Sequence, residues 1–120
     1  MITFEIDNIN DMNAELEKFL GFLQARGADD DALFDSRLVA CELITNALRH
    51  GGGRATFTGS LNGGLIEITV GAVNATGMIR VPDLPSVLAE SGRGLYIVNA
   101  VSKGNVCISD GIVTVKLAFK

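Results

Sequence analysis

"ACELITNALRHGGG", Ala40 to Gly53, decides how the chain is read. Glu42, Asn46 and His50 recur every four residues, so a helix would carry all three along one face. Leu43, Ile44, Ala47 and Leu48 flank them closely, which argues against a broadly solvated face. A carboxylate and a carboxamide one turn apart offer two hard oxygens pointing the same way. Mg²⁺ accepts such ligands, takes one or two from protein, and completes its shell with water and substrate phosphates. The carboxylate can also orient or deprotonate a nucleophile such as a serine hydroxyl. Spacing alone fits an ordinary solvated helix as well, so the surrounding chain has to decide.

Upstream, "ITFEI" (Ile2–Ile6) alternates as a short strand would, and "DNIND" offers several helix caps. A helix is expected from there to about Arg26, with Met12, Leu16, Phe19, Leu20 and Leu23 on one stripe and Gly27 as its stop. A second helix should start at the acidic run Asp29–Asp31, whose charges suit a helix N-terminus, and end at "HGGG". Leu33, Phe34, Leu38, Cys41 and Leu48 are expected to face the core. Downstream, "RATFTGSL" and "LIEITVGAV" alternate around Asn62–Gly64, a hairpin signal. "NVCISD" and "IVTVKLAF" repeat the device around Asp110–Gly111. Between the hairpins lie the irregular "NATGMIRVPDLPSVLAES" and then "GRGLYIVNAVSK", which reads as a glycine turn opening a helix with Ile97, Val98 and Val101 inward. The order β-α-α-β-β-(loop)-α-β-β predicts one α/β (α+β) domain over residues 1–120, a two-layer sandwich. Its sheet should be mixed and mostly antiparallel, with the helices on one face.

Composition narrows the function. Of 120 residues 48% are hydrophobic and 20% charged, which places the chain among globular proteins and away from disorder. A net charge of -4, with ten scattered basic residues, gives no footprint for nucleic acid. No window approaches the apolar length of a membrane span. The opening "MITFEIDNIN" lacks the basic and apolar regions of a signal peptide, so a cytoplasmic location is expected. Cys41 and Cys107 have no disulfide or zinc spacing and are expected to be two buried thiols in a reducing compartment.

A second motif is "ESGRGLYIV". Gly92 and Gly94 before a helix allow close backbone approach, the free N–H groups at such a terminus attract phosphate, and Arg93 adds a mobile cation. A plain helix-starting turn also explains the two glycines. The pairing with the Glu42/Asn46 helix gives them weight.

Together the two stretches resemble a known superfamily. "ACELITNALRHGGG" resembles the N box of the GHKL, or Bergerat-fold, histidine-kinase-like ATPases, and "SGRGLYIVNAV" resembles their second glycine box. Size, the opening strand and helix, and box positions look most like the small anti-sigma-factor serine-kinase branch. The resemblance implies a Bergerat ATP-binding fold using Mg-ATP. It implies Glu42 as the catalytic carboxylate and Asn46 as the Mg²⁺ ligand. Gly92, Arg93 and Gly94 would lie against the phosphates, and Gly77 would be a surviving glycine of the adenine-binding box. It also implies partner switching in transcription regulation. The partners would be a sigma factor and a small STAS-type antagonist protein phosphorylated on serine, with homodimerisation common in this branch.

The sequence departs from the family at that adenine box, Asp-x-Gly-x-Gly. Aligning its last glycine on Gly77 puts the Asp position on Val73, and a one-residue slip puts it on Ala72; neither accepts a hydrogen bond from adenine. No Asp occurs between Asp35 and Asp83. Loss of a buried acceptor costs about 1 to 3 kcal/mol, roughly 5- to 150-fold in affinity. Two readings from different classes follow. One is a serine/threonine kinase that holds its nucleotide by phosphates, magnesium and apolar contacts. The other is a degenerate, non-catalytic binding module of the same fold, acting through protein contacts. An unrelated α/β domain carrying chance motifs is the third. The acidic "GADDDALFD" (Gly27–Asp35) suits either a basic partner or simple helix capping, and Leu20 and Phe22 suit either core packing or a dimer interface.

Overall fold

The computed structural model describes residues 1–50, 54–62, 64–72, 105–109 and 112–118. Its elements follow the order β1 (Ile2–Ile6), α1 (Ile9–Ala25), α2 (Asp30–His50), β2 (Ala55–Asn62), β3 (Leu65–Ala72), β4 (Val106–Ser109) and β5 (Ile112–Ala118). The expected third helix falls outside the described residues.

Local chemistry sets the helix ends. The Asn8 side chain accepts from the Asp11 backbone N–H at 2.8 Å, and its amide donates to the Asp11 carboxylate, closing the first turn of α1 from both sides. At the other end Gly27 adopts φ 93°, while the Ala28 N–H reaches the Leu23 carbonyl at 3.1 Å and the Gly27 N–H reaches that of Gln24 at 3.1 Å. This is a Schellman stop, and the positive φ calls for glycine. Two residues later Asp29 accepts from the Ala32 N–H at 2.8 Å and caps α2.

The five strands form one sheet in the order β1-β2-β3-β5-β4, and every described pairing is antiparallel. Asn62 opposite Leu65 and Ser109 opposite Ile112 close the two hairpins at the expected turns. Alternation then sends one set of side chains to each face. The inner face carries Ile6, Phe57, Ile66, Ile68, Val70, Val113 and Val115, all fully or nearly fully buried. The outer face carries threonines in register, with Thr3 beside Thr58 and Thr69 beside Thr114.

Both helices lie on the inner face. Helix α1 packs on β1 and α2, and α2 packs on β2, β3 and β5. Met12, Leu16, Phe19 and Leu23 of α1 join Val39, Leu43 and Ile44 of α2 and the strand residues in a single apolar core. Phe19 stands edge-on to Phe57 with ring centroids 5.0 Å apart, and Phe57 stacks on Phe4 at 4.5 Å. The fold is therefore an α+β sandwich of two layers, as the element order predicts. Leu20 and Phe22 are partly buried against the core.

Two expectations of burial are corrected. Phe34 is 67% exposed rather than in the core, because the buried side of α2 is built from Ala32, Ser36, Val39, Ala40, Leu43 and Ala47. Their i, i+4, i+7 spacing puts Phe34 about a third of a turn or more away. Cys107 is exposed, since it takes an outer-face position opposite Thr114, and Cys41 is half-buried.

Candidate functional site

Helix α2 carries the candidate site in its second half. Asn46 is buried, as are Leu43, Ile44 and Ala47 beside it in sequence, on the helix that packs against the sheet. Glu42, one turn earlier on the same side of the helix, is half-buried. The spacing read from sequence thus becomes a real adjacency: a carboxylate at the margin of the core and a carboxamide inside it.

One atom distinguishes this face from a merely solvated one. The Asn46 Oδ1 is fully buried and has no hydrogen-bond partner among the described residues. A buried acceptor left unpaired costs about 1 to 3 kcal/mol. A cation or a donor brought to that oxygen recovers the loss. The chemistry fits Mg²⁺, which binds hard neutral oxygens and needs few from the protein. Among the described residues no cluster of three or more His, Cys, Asp or Glu side chains could hold a metal. A site with one carboxamide and one carboxylate is of a different kind from such clusters.

A second orphan, the Ser36 Oγ, lies on the buried side of α2 with Ala32, Val39 and Ala40. No carboxylate flanks it on that side of the helix, so it has the cost of burial without the company of a site. Sequence reasoning missed it because a serine in a helix normally reads as surface.

Cys41 adjoins Glu42. Burial pushes its thiol above the ordinary cysteine value, the Arg37 guanidinium pulls it back, and the Glu42 carboxylate raises it. The thiol is accordingly protonated near neutrality. Arg37 is itself held by Glu17 of α1, through Nη1 to Oε2 at 2.6 Å, a tie between the two helices.

The surroundings of the site follow from strand register. Ala55 stands opposite Ile6 on one side and Ala72 on the other, so the end of β1, the start of β2 and the end of β3 lie at one end of the sheet. His50 ends α2 only a few residues before Ala55, which brings the last turns of α2 to that same end. Ala72, one of the two positions that align with the base-reading Asp of the resembled box, is the last residue of β3. Val73, Gly77, Gly92, Arg93 and Gly94 lie outside the described residues.

No protein-family model matches the chain, and comparison with curated proteins finds no match. No helix among the described residues is long and apolar enough to cross a membrane.

Proposed function

We propose that this chain is a partner-switching regulator of the anti-sigma-factor type with a histidine-kinase-like ATPase fold. In this reading it binds a magnesium nucleotide on α2 and transfers the γ-phosphoryl group to a serine of a small antagonist protein. The observation that carries the reading is the orphaned, buried Oδ1 of Asn46, one helical turn from Glu42. The α+β sandwich and the gathering of three strand ends beside the last turns of α2 support it.

The residues would divide the work as follows. Asn46 would hold Mg²⁺ through its carboxamide oxygen. The metal, when bound, supplies neutralisation of phosphate charge. Glu42 would accept the proton of the incoming serine hydroxyl, whose oxygen bonds to the γ-phosphorus as ADP leaves. Its half-buried position suits this, because it lies one helical turn from the buried Asn46 and is still open to a substrate arriving from solvent. Gly92, Arg93 and Gly94 would contact the phosphates and Gly77 the base, as the sequence resemblance implies.

A specific observation favours a second reading. Neither Ala72 nor Val73 can accept a hydrogen bond from adenine, so the base has lost its family anchor. On that reading the chain is a non-catalytic module that acts through a sigma factor or antagonist by contact alone. The two separate on one experiment, calorimetric titration with Mg-ATP. Binding, followed by loss of phosphate transfer in Glu42→Ala, supports the kinase. Absence of heat and of any thermal shift up to millimolar nucleotide sinks it.

A further inference from the structure

Phe34 is the one aromatic side chain among the described residues that stands largely in solvent, 67% exposed on the second turn of α2. Around it the helix places Asp30 and Asp31, four and three residues earlier, and Asp35 just after. We propose that the first two turns of α2 are a docking surface for a basic segment of a partner protein. Phe34 is the apolar anchor, and Asp30, Asp31 and Asp35 are the charge complement.

The charges at this end are not consumed by the fold. Asp29 is occupied in capping, through the Ala32 N–H. Among the described residues no ion pair joins Asp30, Asp31 or Asp35 to a cation, whereas Lys18 pairs with Glu15, Arg37 with Glu17 and Arg54 with Glu5. Asp35 is pushed above the ordinary carboxylate value by partial burial, then by the neighbouring Asp31 and Asp29. Asp30 and Asp31 also suit the first turn of the helix. Asp35 and the exposed Phe34 ring lie past that turn, so stabilisation of the helix end accounts for neither of these two.

Charge decides the occupant. A second copy meeting this face across a two-fold axis would set carboxylates against carboxylates, and the chain as a whole is at -4. Nucleic acid and anionic lipid are repelled for the same reason. A cationic segment with one apolar side chain for Phe34 matches, since buried aromatic anchors with a charged rim give both affinity and register. This surface stands on the first half of α2 alone and does not depend on whether Asn46 and Glu42 hold a nucleotide.

The probe is a pair of labelled amphipathic helical peptides, one of leucine and lysine, the other of leucine and glutamate. They are titrated by fluorescence anisotropy into the wild type, Phe34→Ser and the double variant Asp31→Asn/Asp35→Asn. The basic peptide should bind the wild type, weaken with added salt, and lose about tenfold or more in each variant. The acidic peptide should not bind. Failure of the basic peptide to bind, equal binding of both peptides, or unchanged affinity in both variants overturns the proposal. Sedimentation of each protein tests the competing occupants. A wild-type dimer that Phe34→Ser converts to monomer overturns it in favour of self-association. A fall of several degrees in the Tm of Phe34→Ser overturns it in favour of coverage by the chain itself.

Discussion

The Phe19 ring fills the space that a Cβ on Gly59 would need. Gly59 is an inner-face position of β2, and Phe19 comes down on it from α1 while turning its edge to Phe57. The absence of a side chain on one strand residue therefore sets how closely α1 approaches the sheet. The obstacle to a larger residue is a ring inside a packed core, which has little room to give.

Gly59→Ala should consequently destabilise the protein by about 1 to 3 kcal/mol, the usual range for overpacking a core. Denaturant unfolding measures it. Phe19→Leu should shrink the penalty of Gly59→Ala in a double-mutant cycle, because it removes the ring that the new methyl meets. Additive effects of the two substitutions would contradict the contact.

Asp29 and Asp35 lie on the same stretch and should behave oppositely. Asp29→Ala removes the cap of α2 and should cost about 1 kcal/mol, with Asp29→Asn retaining most of the stability. Asp35 has a folded-state pKa raised by partial burial and by Asp31 and Asp29, so ionising it works against folding. That penalty is absent below the ordinary carboxylate value of about 4, grows as pH rises through the raised folded value, and is complete at pH 7. Asp35→Asn should therefore be more stable than the wild type at pH 7, with the difference shrinking on acidification toward pH 4. Thermal melts across that range check the sign.

The two thiols should separate kinetically. Cys107 is exposed and should react promptly with a chromogenic disulfide reagent. Cys41 is half-buried with its pKa pushed up, so little thiolate is present at pH 7 and its reaction should lag until denaturant is added. One fast and one slow equivalent is the expected trace, and two fast equivalents would contradict the placement of Cys41.

How much of this was legible in the sequence depended on the size of the residues that carried the signal. Helix α1 was plain, because its core stripe is Met12, Leu16, Phe19 and Leu23 and its ends are a capping asparagine and a stopping glycine. The hairpins were plain from Asn62–Gly64 and Asp110–Gly111. Helix α2 misled, because its buried side is made of Ala32, Ser36 and Ala40 as much as of large residues. A pattern that weights big apolar side chains turns that helix toward Phe34, where the structure has solvent. The insertion of β5 between β3 and β4 has no local signature, since it pairs segments far apart in the chain. Glu42 and Asn46 stood out by their spacing and apolar flanks, and their proposed roles came from the resemblance of that stretch to a nucleotide-binding box. The unpaired state of the Asn46 oxygen needed the packing around it.

The two buried orphans should also part company on mutation. Ser36→Ala removes an unpaired hydroxyl and should leave stability unchanged or raise it by about 1 kcal/mol. A loss larger than that would mean that the Ser36 hydroxyl is bonded in solution. Chemical denaturation of the single variant decides it.

Asn46→Ala likewise deletes an unpaired buried acceptor, so the apo protein should lose little stability beyond the small cavity left behind. That separates structure from function at the residue on which the proposed function turns. The most direct measurement is calorimetric titration of Mg-ATP into wild type and Asn46→Ala, with the Tm of each recorded without nucleotide. The account predicts that the wild type binds, that chelating the metal abolishes most of the heat, and that Asn46→Ala weakens binding about tenfold or more while its Tm stays close to wild type. A wild type that gives no heat at millimolar nucleotide, or an Asn46→Ala that binds as tightly as wild type, would contradict it.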